Sequence, residues 1–437
     1  MTVTTQYRDG KYTLIEFNIT FPNGRILPLT PYCARADIYE SVLEPTVIAE
    51  FVFSDKVGIF DAINFLAEKI TLHFTTYDDN DEAAIKYEFY PVIVDPAEST
   101  PDDKGIVYKV TCVTKEAQKS RDMKNFSFTR AKIACEAMVS TILTHEEGLK
   151  TTKPIFLEST QGLHGFNFTL ANPFTAIDQI RLKAMSSEFQ GHCFVFYENS
   201  RGFHFKSFEG LIKDGKTKIG DKYYIQSAAA DIAIDGAKWR NILAFKVVQT
   251  GSENVTRALG AGNIKVVSVN TITQETVETS VDQRKLNFIQ LNDNAVSISL
   301  KSQDELSKNE TTVIPVRFDP TVETADVVFA ASARPYYLRF LFNTIAHITV
   351  YGDTTVTVGD VITAKIPEMN ALTTGEERPY VDTSSTAAGN YLITKCRHVL
   401  TFSEGAEYMQ ALEIVKDGYA GDQPKATQFN NRGAQFA

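Results

Sequence analysis

Residues 172–211, NPFTAIDQIRLKAMSSEFQGHCFVFYENSRGFHFKSFEGL, decide the reading of the fold. Asn172 is a good helix N-cap, and Pro173 sits where the first helical residue needs no N–H. Phe174, Ile177, Ile180, Arg181 and Ala184 then recur at helical spacing, an apolar stripe broken only by the arginine. After the polar SSEFQG break, CFVFYE and FHFKSF flank four turn-prone residues, Asn199 to Gly202, which predicts an aromatic β-hairpin. A short amphipathic helix followed by such a hairpin predicts a packed α+β unit. Phe194, Phe196, Phe203 and Phe205 are candidates for its core or for a subunit contact, since aromatic side chains are favoured in both.

Working outward, residues 12–113 read as strands. YTLIEFNITF, IAEFVFSD, KITLHFTTYD, YEFYPVIVD and GIVYKVTCVTK are rich in β-branched and aromatic residues with partial alternation, and polar breaks separate them. This predicts an antiparallel barrel or sandwich, with VGIFDAINFLAEK as a helical turn or loop. NFSFTRAKIACEAMVSTILTHEEGL reads as helix-forming, with Gly148 as its stop. Residues 222–250 return to strands, whereas 251–329 are polar and predict an exposed, strand-poor excursion. Toward the end, AHITVYGDTTVTVGDVITAKIP predicts short strands with Gly352-Asp353 and Gly359-Asp360 as turns. TTGEERPYVDTSSTAAG predicts a loop, and YLITKCRHVLTFS with EYMQALEIVKDG predicts a long hairpin turning at Glu404-Gly405. The polar end, GDQPKATQFNNRGAQFA, predicts a tail that orders on a partner, with Phe429 and Phe436 as contact candidates.

Composition narrows the function classes. The 437 residues suffice for two to four domains, and 43% hydrophobic with 22% charged residues is an ordinary globular balance. A net charge of −10 argues against clinging to nucleic acid, which needs clustered Lys and Arg. The first residues carry no signal-peptide pattern and no stretch is apolar enough to span a membrane, so the chain reads as soluble. Five scattered cysteines, none in a C-x-x-C pair, read as buried reduced thiols.

No catalytic constellation emerges. His145-Glu146-Glu147 lacks the second histidine of a metalloprotease helix, because position 149 is Leu. No histidine pair has metal-ligand spacing, and His398 reads as a hydrogen-bonding strand residue. Nothing in the sequence activates Cys135 or Cys193 as a nucleophile. Gly260 and Gly262 in LGAGN lack the third glycine of a dinucleotide cradle, and Asp102-Asp103 and Glu376-Glu377 read as solvated loop charge. No enzyme activity, cofactor or metal is expected.

The ordered set of motifs does resemble a known family. The NPF helix start with the FVFYENSRGFHFKS hairpin, the earlier IYESVLEPTVIAEFVFSDKVGIFDAINFLAEKITLHF, the VGDVI strand, and GNYLITKCRHVLTF with EYMQALEIVKD are similar to successive segments of the baseplate hub proteins of contractile-tailed bacteriophages of the T-even type. The resemblance implies an α+β, mainly β chain with two tail-tube-like antiparallel β-barrel domains and a mixed α+β domain. The barrels would be 1–115 and 213–250 with 330–417; the mixed domain would be 116–212 with 251–329; 418–437 would be a tail. It further implies a structural homotrimer in the tail baseplate, assembled in the host cytoplasm, adapting a six-fold tail tube to a three-fold central spike. Its partners would be the spike, the tube protein and the surrounding baseplate wedge proteins, with genomic DNA passing through the lumen without specific binding. A tail-associated adhesin is the alternative reading, and a tail-associated cell-wall hydrolase a weaker one.

Overall fold

Strand-forming segments dominate both ends of the chain, and helices cluster between them. The computed structural model describes residues 10–56, 58, 68–76, 83–97, 106–123, 126–217, 223–225, 240–250, 263–270, 272–282, 288–292, 294–295, 311–318, 333–334, 337–338, 340–366, 387–402 and 405–419. First come β1 (Thr13–Thr20), β2 (Ile26–Pro28), β3 (Cys33–Ser41), β4 (Ile48–Asp55), β5 (Lys69–Thr75), β6 (Ile85–Ala97) and β7 (Ile106–Thr114). The middle holds α1 (Lys115–Asp122), β8 (Phe126–Ile133), α2 (Cys135–Thr144), β9 (Ile155–Leu157), β10 (His164–Ala171), α3 (Pro173–Lys183), β11 (Phe194–Asn199), β12 (Gly202–Ser207) and α4 (Phe208–Lys216). Then follow β13 (Tyr223–Ile225), β14 (Ile242–Thr250), β15 (Asn263–Asn270), β16 (Thr276–Asp282), β17 (Asn294–Ala295) and β18 (Thr311–Phe318). The chain closes with β19 (Thr344–Tyr351), β20 (Val361–Lys365), β21 (Gly389–Thr401), β22 (Tyr408–Lys416) and β23 (Gly418–Tyr419).

The fold is mainly β with four helices among the described residues. The two strand-rich ends do not form separate sheets. A single 13-stranded sheet runs in the order β14-β19-β22-β21-β3-β4-β7-β6-β5-β1-β2, with β20 and β13 branching from β21. The two ends of the chain join where β3 and β21 pair antiparallel from Lys395↔Ser41 to Thr401↔Arg35. Because β21 occupies one edge of β3, the described strands of neither end close on themselves.

Three hydrophobic cores organise the described residues, and the first two are built on this sheet. One, around Phe51, Phe53, Phe74 and Phe89, belongs to the first seven strands and takes Leu400 and Tyr408 from the end of the chain. A second packs Tyr391, Leu392, Ile393 and Ile414 with Tyr197, Phe208 and Leu211. The third joins α2, α3, β8, β10 and the hairpin through Met138, Ile142, Ile177, Ile180, Phe203 and Phe205.

The hairpin β11–β12 is buried along almost its whole length because it separates two of these cores. Phe194, Phe196, Phe203 and Phe205 face the third core, while Val195 and Tyr197 face the second. Its turn holds only Ser200 and Arg201, since Asn199 pairs with Gly202. Gly202 has φ +136, and a Cβ there would lie 2.3 Å from the Pro154 carbonyl oxygen. That close approach is required by the parallel pairing of β9 with β12.

Helix α3 begins as its sequence predicts: Asn172 Oδ1 accepts from Phe174 N at 2.9 Å and Thr175 N at 3.4 Å. At its other end the half-buried Arg334 guanidinium donates to the carbonyls of Leu182 and Ala184, and to His192 O at 2.8 Å. A cation there also complements the helix dipole.

Two expectations need correction. Phe126–Ile133 is a strand, and only Cys135–Thr144 of that segment is helical. Phe126 and Phe128 alternate inward, which a strand satisfies and a helix does not. The polar excursion is also richer in strands than its composition suggests: β16, β15 and β18 form a three-stranded sheet in that order. The VGIFDAINFLAEK segment lies almost wholly outside the described residues, as does TTGEERPYVDTSSTAAG apart from its last residues.

Candidate functional site: the open sheet and its buried junction

Strand alternation sends one set of side chains into the cores and the other to the opposite face of the 13-stranded sheet. That outer set is charged, and its members neutralise one another across strands. Lys69 bridges Glu88 at 2.7 Å, Lys86 Glu16 at 3.6 Å, and Lys109 Glu50 at 2.9 Å. Asp37 takes Arg35 at 2.8 Å and Arg397 at 3.1 Å, the latter crossing the β3–β21 seam. Glu413 takes Lys395 at 3.0 Å and lies 3.5 Å from His347 Nε2. Burial opposes ionisation of Glu413, but Lys395, Thr394 and His347 outweigh it and hold the carboxyl below its ordinary range. A depression of about 610 Å³ on this face is lined by Tyr39, Lys246, His347, Lys395, Arg397 and Glu413.

The sheet has two free ends among the described strands, β14 and β2. Strand β14 carries Leu243, Val247 and Val248 at 37–51% exposure; near the other end Ile15 and Ile26 are 45% and 58% exposed. Unpaired backbone N–H and C=O groups along such an edge form a template for further pairing, and exposed apolar side chains beside them favour it.

Behind the seam lies a buried polar junction centred on Glu40 of β3. Its Oε1 accepts from Ser200 N at 2.9 Å and from the Tyr87 hydroxyl; its Oε2 accepts from Thr357 Oγ1 and stands 3.5 Å from His398 Nε2. Burial would raise the Glu40 carboxyl, yet His398, Thr357 and Tyr87 together hold it below its ordinary range. Burial and the Glu40 charge push Tyr87 well up. Beside it Arg201 forks onto Asp360 with two 2.7 Å bonds and donates to Thr355 O at 2.8 Å. Gly359, at φ +86, makes the turn that presents Asp360. These contacts fasten β3, β6, the hairpin turn, the 352–360 loop and β21 to one another.

Phe194, Phe196, Phe203 and Phe205 are 0–7% exposed within the single chain, where they pack the third core. Phe196 alone among them reaches the wall of a cleft of about 320 Å³ between Leu43 and α3. Phe429 and Phe436 lie outside the described residues, as do Gly260, Gly262, Asp102, Asp103, Glu376 and Glu377. Gly418 and Tyr419 form β23, which pairs with β17. All five cysteines are free and buried, and burial pushes the Cys135 and Cys193 thiols up to about 12, far from nucleophilic use. His145 caps the C-terminal end of α2 at the surface. No helix among the described residues is long and apolar enough to cross a membrane.

No known family profile matches the chain, and no curated protein does. Solved structures do match. The tail protein from Neisseria meningitidis MC58 aligns with a TM-score of 0.55 at 10% identity, over 93% of this chain and 97% of that one. This chain shares the fold of that protein. The 43 kDa tail protein of prophage MuSo2 from Shewanella oneidensis aligns with a TM-score of 0.49 at 10% identity, over 92% of this chain and 98% of that one. The near-complete coverage of the Neisseria protein extends the likeness across both strand-rich ends and the helical middle.

Proposed function

We propose that the chain is a structural hub of a phage tail baseplate, acting as a homotrimer. The observation that carries this reading is the single open sheet, charge-paired on one face, packed on two cores on the other, and ending among the described strands in β14 and β2. Joining the β14 edge of one copy to the β1–β2 edge of the next is a head-to-tail contact, and such contacts close into rings. Three copies, each contributing two strand-rich halves, present six similar sheet segments around one axis. That arrangement meets a six-fold tube on one side and a three-fold spike on the other. The charged face then lines the ring, where internally neutralised side chains offer a passing DNA no surplus of cations to hold it. In this reading 1–115 would be one half and 213–250 with 330–417 the other. Residues 116–212 with 251–329 form the mixed domain, and 418–437 the tail toward a partner.

Native mass spectrometry of the 48.7 kDa chain, alone and co-expressed with a candidate spike protein, tests the proposal. An assembly of three chains, about 146 kDa before the spike is added, is the expected result. A chain that stays monomeric with and without the spike overturns it.

A further inference from the structure

Cys396 and His398 are two residues apart on β21, so both point to the buried side of the sheet, and Glu40 on β3 stands directly opposite Cys396 in the register. Their side chains converge. Cys396 Sγ lies 3.4 Å from His398 Nε2, that nitrogen lies 3.5 Å from Glu40 Oε2, and the three atoms fall within 4.8 Å of one another. All three residues are at most 2% exposed.

From this geometry we propose a buried site for one divalent ion of the zinc class, held by Glu40 Oε2, Cys396 Sγ and His398 Nε2. Tetrahedral zinc with bonds of about 2.0–2.3 Å sets its ligands roughly 3.3–3.8 Å apart, the range in which two of these separations already fall. One thiolate, one carboxylate and one imidazole are a donor set suited to zinc, and the two anions cancel the charge of the ion, the condition for placing it in a core. The surroundings orient the donors. His398 Nδ1 lies 2.7 Å from the Tyr408 hydroxyl, which turns Nε2 toward the site. Tyr87 and Ser200 N hold the other Glu40 oxygen. Such outer partners fix ring orientation and ligand basicity in metal sites. The Thr357 hydroxyl, already on Glu40 Oε2, is at hand as a neutral fourth donor. On binding, the thiol loses its proton to solvent and sulfur donates to the metal, so no redox partner is involved. The site would tie β3 to β21 at the seam between the two ends of the chain, and it stands independently of the hub reading.

The test is metal content and spectrum of the full chain produced with Zn2+ or Co2+ in the medium and then stripped of loosely held metal. One zinc per chain is expected. The cobalt form should show a thiolate-to-cobalt charge-transfer band, which Cys396→Ser abolishes, while His398→Gln lowers metal content about tenfold or more. A cobalt-grown wild-type chain with no such band overturns the site without recourse to any variant. Retention of the band in Cys396→Ser overturns it as well, since the thiolate would then lie elsewhere.

Discussion

Glu209, in the first turn of α4, shows how one residue sets a pH response. Its carboxylate accepts from Gly191 N at 2.6 Å and Ile289 N at 3.2 Å, pinning two loops to the helix. Burial pushes its carboxyl up from 4.5 to about 7, against the pull of those two amides. The folded chain therefore penalises the ionised form. The contribution of this group to stability is fully present below the unfolded value and is lost as pH rises through about 7. At about 1.4 kcal/mol per pH unit the loss is on the order of 3 kcal/mol. Glu40 has the opposite sign: held low, it contributes stability above the unfolded carboxylate range and loses it in acid. Urea midpoints at pH 5 and pH 8 should thus converge in Glu209→Gln relative to the wild type. An unchanged pH slope in that variant would show that the cause lies elsewhere. Neither role was readable beforehand. Glu40 and Thr357 meet across 317 positions, and a sequence carries no sign of such a convergence.

At the scale of elements, the hairpin β11–β12 was legible and its use was not. Aromatic strands and a turn were plain in FVFYENSRGFHF, and the Asn172 cap and Pro173 start of α3 stand as read. The uninterrupted apolar run FVFY, rather than an alternating one, was the available sign that both faces are covered. Burial on both faces predicts a large effect from truncation. Phe203, fully buried and stacked on Phe196 at 5.7 Å, should cost about 3–5 kcal/mol when changed to Ala, read as a lower denaturation midpoint with unchanged slope. A loss under about 1 kcal/mol would mean that the third core closes over the gap. The strands of the polar excursion went unread for the converse reason. NIKVVSVN and TVETSVD carry partial alternation, but the polar composition around them outweighed that signal. β15 accommodates the proline-bearing β18 as a parallel partner at the side of a three-stranded sheet, where a missing N–H is tolerated.

At the scale of the whole molecule, the mainly β class was carried by local pattern, whereas the joining of both ends into one sheet was not. Strand identity depends on neighbours in sequence; the β3–β21 pairing depends on two segments more than 300 residues apart, and nothing local marks it. Among the described strands that joining leaves β14 at one end, with Leu243 and Val248 exposed. Were β14 only a solvent edge of a monomer, charges placed there would cost within about 0.5 kcal/mol and change nothing else. Under ring assembly each charge is instead carried into a contact between copies, where an unpaired lysine is penalised in every interface of the ring at once. The double variant Leu243→Lys, Val248→Lys should therefore keep the wild-type melting temperature at concentrations where the chain is monomeric, and should lose the three-chain species in sedimentation velocity. The same substitution on the charged face, at Thr349 beside β14, should leave assembly intact because that face meets the open centre of the ring. Equal loss of assembly from both positions would place the contact on the sheet face and not on its edge.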